Sequence, residues 1–526
     1  MTDVGRRAAR LLEEAQAGRA EHVLGVAEAT LRARTGDLAD GPAALHFARV
    51  VALIMLGAVR SSLAAVELML RATEREGSAG WQACALATRA SERLRLGDTD
   101  AAEHDADSAL RDLSAAEATL AAGEDDPVAA INAHVGIGMG FHTLRLYELA
   151  GPQYQAAYEL CAGDPAGDGN PAMWLTNLAQ LHLEWALELY QIDRVAEAEK
   201  HTAEAEDYAV RAAAEASGPD ADSWRTHALL AAACARADRH DPAGAAVDIA
   251  RHLRAQQQRG IIAREVAYCR PFQAVALSRS GRPDEALRVI ADAVRDLPPD
   301  ADWPAAAATR RTHALLLAAG GSADARAGLA YGDILAGALW RQRLRTLQTA
   351  AALKSYETLR VQHELAARAA ETDPLTGLAN RRGFDRVVDE EAARPADAGR
   401  PVTALIVDMD KLKLINDTRG HAAGDEAVRA VAAALRAAAR DGDTVARLGG
   451  DEFGVVLPGA TPEVALAIGA RMVAAVRDIP DCLATVSVGV ASGPPADLRE
   501  TVCRADAAMY AAKRSGGDAV RGAPAG

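Results

Sequence analysis

At 526 residues, half of them apolar and a quarter charged, the chain is too long for one ordinary core and reads as two or three soluble domains. Its formal net charge of −15 excludes a general nucleic-acid or membrane-surface binder, since both need a net basic face. Aromatic residues make up only 4%, and abundant alanine favours close-packed helices. Cys84, Cys161, Cys234, Cys269, Cys482 and Cys503 form no CxxC pair and read as small buried residues in a reducing cytosol. The longest apolar run, Val50–Val59, is half of what a membrane span requires. Arg6, Arg7 and Arg10 lead into Leu-Leu-Glu-Glu without the apolar segment of a signal peptide. The expectation is a cytoplasmic protein with no nucleic-acid and no membrane partner.

From residue 1 to 335 the apolar residues recur at helical spacing, punctuated by Gly, Asp and Pro. Small residues align across five units: Ala90, Gly138, Ala186, Ala231 and Ala274 on first helices. Twelve positions on come Ala102, Ala150, Ala198, Ala243 and Ala286, and seven further Ala109, Ala157, Ala205, Ala250 and Ala293, a period of 43 to 48 residues. Arg-Leu-Gly97-Asp-Thr-Asp-Ala-Ala102 and Arg-Ser-Gly281-Arg-Pro-Asp-Glu-Ala286 each end one helix and start the next, and Val50–Ala72 reads as a degenerate first unit. Antiparallel helices approach closely only where one sets a small side chain against the other, and stacked pairs then share a core. The pattern resembles tetratricopeptide (TPR) repeats with longer helices; HEAT-like or other helical-hairpin solenoids fit it too. The resemblance implies a surface that holds a peptide or another protein, against a plain helical scaffold with no ligand.

Residues 340 to 371 contain no Gly or Pro and read as one long connecting helix, within a segment 336–371. Leu344, Ala351, Thr358 and Leu365 are spaced by seven, as are Leu347, Lys354, Val361 and Arg368. That imperfect stripe suits a weak parallel coiled coil or a helix capping the last repeat.

From 372 to 526 the periodicity changes. Val402–Val407 reads as a strand, Asp425–Arg440 as a helix, Thr444–Arg447 and Phe453–Leu457 as a hairpin, Pro462–Arg477 as a helix, Thr485–Val490 as a strand and Leu498–Lys513 as a helix. The order β-α-β-β-α-β plus a last helix predicts an α+β domain with a mainly antiparallel sheet. Its central strand ends would place Asp408-Met-Asp410 beside the hairpin tip Gly449-Gly-Asp-Glu452.

Collinear motifs run through this domain. They are Asp373-Pro-Leu-Thr-Gly-Leu-Ala-Asn-Arg-Arg382, Asp408-Met-Asp-Lys-Leu-Lys-Leu-Ile-Asn-Asp417, Gly420-His-Ala-Ala-Gly-Asp425, Arg447-Leu-Gly-Gly-Asp-Glu-Phe453, Ser487-Val-Gly489 and Ala505-Asp-Ala-Ala-Met-Tyr-Ala-Ala-Lys513. In this, residues 372 to 520 resemble the GGDEF family of diguanylate cyclases, of the palm or nucleotidyl-cyclase type. The resemblance implies that two GTP become cyclic di-GMP and two pyrophosphates in a homodimer, each domain presenting one nucleotide to the other.

The residue types suit that chemistry. Joining a ribose 3′-oxygen to an α-phosphorus calls for a metal that neutralises triphosphate and acidifies the hydroxyl. Magnesium, or manganese, takes a few hard oxygens. By the resemblance these come from Asp408, the Met409 carbonyl and Asp451, with Glu452 taking up the hydroxyl proton unless a metal-bound hydroxide does so. Gly449 and Gly450 keep side chains off the nucleotide. Asn416 and Asp425 match the base-reading pair, and a carboxylate accepting from N1–H and N2–H₂ selects guanine. His421 either joins them or shapes the loop at a helix entry.

Among 58 basic residues only Lys200, Lys354, Lys411, Lys413 and Lys513 are lysines, so a lysine beside the acids marks a wanted point charge. Lys413 and Lys513 match phosphate-contacting lysines; Lys411 does not and reads as solvent-exposed. Two departures stand out: Gly516-Gly-Asp518 replaces a Gly-Arg-Asn turn, leaving Arg514 or Arg521 to substitute, and Leu412 replaces a Phe. Arg440-Asp-Gly-Asp443 is placed as the family's inhibitory product site, with Arg471 as its accessory arginine; the bland reading is a helix-ending charge pair. The expectation is a diguanylate cyclase regulated by the repeat domain and by its product. The alternative is a catalytically weak GGDEF domain acting as a cyclic di-GMP receptor or scaffold.

Overall fold

The computed structural model describes residues 3–15, 19–35, 41–96, 102–123, 126–162, 171–217, 221–258, 267–297, 303–393, 401–440, 442–480 and 483–524. The Gly97–Ala101 stretch of the first expected repeat junction, Asp441 and Cys482 lie outside them, as do the side chains of Ala102, Leu365 and Arg368. The chain divides into two compact units, Met1–Val361 and Gln362–Gly526.

The first unit is helical throughout its described residues. It begins with α1 (Asp3–Glu14), α2 (Ala20–Thr35), α3 (Ala43–Met55), α4 (Val59–Glu76), α5 (Ala79–Leu96) and α6 (Ala102–Ala121). It continues with α7 (Pro127–Thr143), α8 (Tyr147–Ala162), α9 (Pro171–Gln191), α10 (Val195–Glu215) and α11 (Ala221–Arg236). Next come α12 (Pro242–Gln258), α13 (Cys269–Arg279), α14 (Pro283–Arg295), α15 (Trp303–Ala319) and α16 (Ala323–Ala370), whose end past Val361 belongs to the second unit. Sequential helices pack on one another, α9 on α10 most extensively. Two main cores result, one drawn mostly from α1 to α9 with residues of α10, α11 and α16, and one from α9 to α15.

The small-residue alignment is met at most positions. Ala90, Ala186, Ala231, Ala274, Ala150, Ala198, Ala286, Ala109, Ala157 and Ala205 are all fully buried. At Gly138 an added Cβ would stand 2.8 Å from the Tyr154 ring, which is the close approach that a small residue permits. Ala293 of the fifth unit is only half-buried, and the fourth unit departs further: Ala243 is exposed and Ala250 half-buried, while Ala246 and Leu253 of α12 face the core instead. Three extra residues between Ala231 and that face shift the register, and alanine abundance hides the slip. Of the five described cysteines, Cys84, Cys161, Cys234 and Cys269 are buried, whereas Cys503 is exposed.

The connecting helix starts earlier than its composition suggests. Gly328, Gly332 and Gly337 lie inside α16, each at a cost of about 1 kcal/mol against alanine. The true start is set by Gly321, whose φ of +99° ends α15, and by Ser322, whose hydroxyl accepts from the Ala325 amide at 3.2 Å. From Trp340 to Lys354 one face of α16 packs on its own unit: Leu347, Ala350 and Leu353 join the first core, and Lys354 pairs with Glu117. Leu344 and Ala351 are exposed.

The second unit adds α17 (Arg381–Ala393), β1 (Val402–Asp410), α18 (Leu412–Arg419), α19 (His421–Ala437), β2 (Thr444–Gly449) and β3 (Glu452–Pro458). It ends with α20 (Pro462–Arg477), β4 (Thr485–Gly493), α21 (Leu498–Arg514) and β5 (Ala519–Gly522). The sheet order is β2-β3-β1-β4-β5, antiparallel except for the parallel β4–β5 pair. Helices α18, α19 and α20 contribute to one core, and α17 and α21 to the other. Strand β1, buried at every residue, is central. Helix α21 seats on β4 because Gly489 has no side chain: a Cβ there would lie 2.0 Å from the Ala505 carbonyl and 2.1 Å from the Met509 amide.

Candidate active site

The sheet register assembles the site. Because β1 runs antiparallel to both neighbours, its C-terminal end meets the start of β3, and Asp408 stands opposite Glu452 on one side and Ser487 on the other. The Met409 amide donates to the Asp451 carbonyl at 2.9 Å, tying the hairpin tip to β1. Gly450 sits in the tip with φ +37° and nothing within 4 Å of an added Cβ, so the tip is open to a ligand.

Arg447 holds that tip in place. Its Nε and Nη2 donate to the Gly450 carbonyl at 3.2 and 2.8 Å, and its Nη1 donates to both Asp373 oxygens at 3.2 Å. Burial pushes the Asp373 carboxyl up, but bonds from the Thr376 hydroxyl and amide and from Arg447 outweigh it and hold the group below its ordinary value. Asn380 of the same motif caps α17 by accepting from the Gly383 amide at 3.1 Å. Asp373, Asn380, Arg381, Arg382, Arg447, Leu448, Gly449 and Gly450 line an open cleft of about 400 Å³ beside the tip.

Asp408 is buried, and Lys513 from the last turn of α21 donates to its Oδ1. Burial raises the Asp408 carboxyl; Lys513 lowers it, and the nearby Asp451 and Glu452 charges raise it again, for a net upward shift. Burial lowers Lys513, but its bond to Asp408 and the surrounding carboxylates raise it overall. Three acids thus crowd one place with incomplete compensation. Oxygen donors in that state fit a divalent hard cation held by Asp408, Asp451 and the Met409 carbonyl.

Asp410, two residues along β1 from Asp408, has a different task. It accepts from the Thr485 and Ser487 hydroxyls and from the Asp518 amide, each at 2.9 Å. A Cβ at Gly517 would lie 2.9 Å from its carboxylate. The turn that departs from the family pattern is therefore seated on Asp410, and Arg477 pairs with Asp518 at 2.9 Å. Sequence reasoning passed over Asp410; the hydroxyls at Thr485 and Ser487, in register with Asp410 and Asp408 across β1–β4, were the available signal.

Helices α18 and α19 meet at Gly420, whose φ of +85° makes the sharp corner. Asn416 lies against Gly424, where a Cβ would stand 1.9 Å from its Oδ1, and the next residue in the chain, Asp425, is exposed. His421 and Lys413 are exposed on the same pair of helices. Lys411 is exposed too, with φ +67° at the cap of α18.

Arg440, Asp443 and Arg471 gather at the end of α19, away from the hairpin tip. Arg440 donates its amide and Nε to the Asp443 carboxylate, each at 3.0 Å, and its Nη2 to the Pro458 carbonyl at 2.7 Å. Asp443 has no side-chain exposure, whereas Arg440 is 56% exposed. Arg471 donates to the Ala438 carbonyl at 3.2 and 2.6 Å.

Residues 370–519 match the family model described as Diguanylate cyclase, GGDEF domain. The chain is 40% identical over 196 residues to an uncharacterized protein of Mycobacterium tuberculosis, covering 34% of this chain and 30% of that one. It is 38% identical over 154 residues to Diguanylate cyclase DgcP of Pseudomonas aeruginosa, covering 28% of this chain and 23% of that one. The chain thus spans less than a third of these curated relatives. Among solved structures, the coiled coil and GGDEF domain of DgcB from Caulobacter crescentus in complex with c-di-GMP is 33% identical, with TM-score 0.31, over 34% of this chain and 97% of that one. Motifs, sheet register and family match agree on one assignment: the C-terminal part of this chain is a GGDEF domain.

Proposed function

We propose that this chain is a diguanylate cyclase that condenses two GTP into cyclic di-GMP and two pyrophosphates as a homodimer in the cytoplasm. The observation that carries the reading is the acidic cluster itself: Asp408 in register with Glu452 and the Met409 amide bonded to the Asp451 carbonyl. Magnesium or manganese held by Asp408, Met409 and Asp451 would neutralise the triphosphate and acidify the attacking 3′-hydroxyl. Lys513, already on Asp408, is within reach of the same phosphates, and Lys413 reaches them from α18. Glu452 accepts the hydroxyl proton. Asn416 and Asp425 read the guanine edge, and the bare Gly449-Gly450 backbone admits the nucleotide. His421 shapes the corner beside them.

Product inhibition is assigned to Arg440 and Arg471, with Asp443 orienting Arg440. The helical unit is read as TPR-like repeats that dock a protein or peptide and regulate turnover. The second reading, a receptor for cyclic di-GMP with weak catalysis, draws on the Gly516-Gly517-Asp518 turn, which offers no arginine to a terminal phosphate.

The test is incubation of the full chain with GTP and magnesium, beside Asp451→Ala and Arg440→Ala. The wild type forms cyclic di-GMP, and loss of a metal ligand lowers the rate by about a thousandfold or more. Arg440→Ala keeps turnover and loses sensitivity to added product. Cyclic di-GMP binding without turnover in the wild type would establish the receptor instead.

A further inference from the structure

The α9–α10 helix pair carries a cluster that the cyclase reading does not use. His182 lies on α9, and His201 and Glu204 lie on α10, three residues apart and therefore on one face. Their ligand atoms converge. His182 Nδ1 is 2.9 Å from His201 Nδ1 and 3.0 Å from Glu204 Oε2, and His201 Nδ1 is 3.7 Å from that oxygen. Donors at about 2.0–2.1 Å around a tetrahedral ion stand roughly 3.3 Å apart, so this triangle has the right size.

Hydrogen bonding accounts for the triangle less well. Two neutral imidazoles that face each other through Nδ1 share one proton, which cannot serve the nitrogen and the carboxylate fully at once. One divalent ion satisfies all three donors together. The rings are also held in orientation by neighbours. Trp185 stacks on His201 with centroids 4.0 Å apart and planes 22° apart, and Tyr208 stacks on His182 at 5.6 Å and 28°. His182 is buried and His201 half-buried, while the Glu204 side chain is 55% exposed. The inner ligands are therefore fixed by packing, and the outer one faces solvent, leaving a side open for entry and for a water ligand.

We propose that His182, His201 and Glu204 form a binding site for a divalent transition-metal ion, zinc by ligand type. Two imidazoles and one carboxylate favour such an ion over magnesium, whose preference for oxygen ligands matches the Asp408–Asp451 cluster instead. Bound there, the ion ties α9 to α10 next to Trp185.

Metal-stripped full-length protein is titrated with zinc, and in parallel with cobalt(II), whose visible absorption reports imidazole ligation and geometry. The Asp451→Ala chain, lacking the acidic cluster of the GGDEF domain, should still bind one equivalent. His201→Ala should lose that equivalent and the cobalt spectrum, with affinity falling about a hundredfold or more. Glu204→Gln, at an exposed position and of equal shape, should weaken binding about tenfold, and an unchanged far-ultraviolet dichroism spectrum excludes loss of fold. Absence of stoichiometric zinc binding in the wild type, or wild-type affinity in His201→Ala and Glu204→Gln, overturns the site. Stoichiometric copper binding without zinc binding overturns the assignment to zinc.

Discussion

One absent methyl group decides where the Asn416 amide sits. An added Cβ at Gly424 would fall 1.9 Å from Asn416 Oδ1, so Asn416 lies where it does only because residue 424 has no side chain. Gly424→Ala is expected to rotate Asn416 away and raise KM for GTP by about tenfold, roughly 1.4 kcal/mol, with kcat changed much less. Steady-state kinetics at varied GTP checks it, and an unchanged KM would remove Asn416 from guanine recognition. At the same scale the two aspartates of β1 separate by surroundings. Asp410 is satisfied by two hydroxyls and an amide, whereas among the described residues Asp408 has Lys513 against the charges of Asp451 and Glu452. The first is suited to hold a turn, the second to receive a cation.

At the scale of the element, a buried guanidinium reinforces the apolar face that holds α16 to its unit. Arg343 has 1% side-chain exposure, donates Nε to the Arg145 carbonyl at 2.6 Å and Nη2 to Glu148 at 2.5 Å, and lies over the rings of Tyr147, Trp185 and Trp340. Arg145 in turn grips Glu188, which also accepts from the Tyr147 hydroxyl at 2.7 Å. Removing one member of a buried charged network strands its partners. Arg343→Ala should destabilise the helical unit by about 3–5 kcal/mol. The expected readouts are a lowered unfolding midpoint and faster amide exchange along residues 340 to 353, and unchanged exchange there would show that α16 is held by its apolar face alone.

For the whole molecule, the proposed chemistry would need two nucleotides, one on the acidic cluster of each of two chains. Below the dimer dissociation constant, product formation should rise with about the square of protein concentration, and above it linearly, since only paired domains turn over. Initial rates across a dilution series, compared with sedimentation on the same samples, check this. A rate linear in protein wherever sedimentation shows monomer would overturn the dimer mechanism.

The strands β1 to β4, the helices α20 and α21 and the acids at the strand ends were legible because local pattern and local chemistry coincide there. Strand β1 alternates little because both its faces are buried, and Asp408, Gly450 and Asp451 sit where a strand end and a tight tip require short polar or bare residues. Helix α17 buries Phe384, Val388 and Glu391 at helical spacing, but with only two apolar residues among those three its local pattern is weak. Strand β5 carries too little β-pattern in Ala519–Gly522 to be seen alone; its parallel pairing with Ser487–Val490 creates it. The start of α16 lies before its three glycines because the cap at Ser322, not the absence of glycine, begins the helix. By itself, then, the sequence determined the helical character of the first unit, the domain type of the second and its acidic cluster, because these rest on short-range periodicity and short motifs. Only the tertiary structure decided that Arg343 reaches Arg145 and Glu148 nearly 200 residues away, that Asp518 rests on Asp410, and that His182 meets His201 and Glu204. Those meetings depend on how helices and strands pack, and packing is set by the sum of many side-chain volumes, which no local window contains.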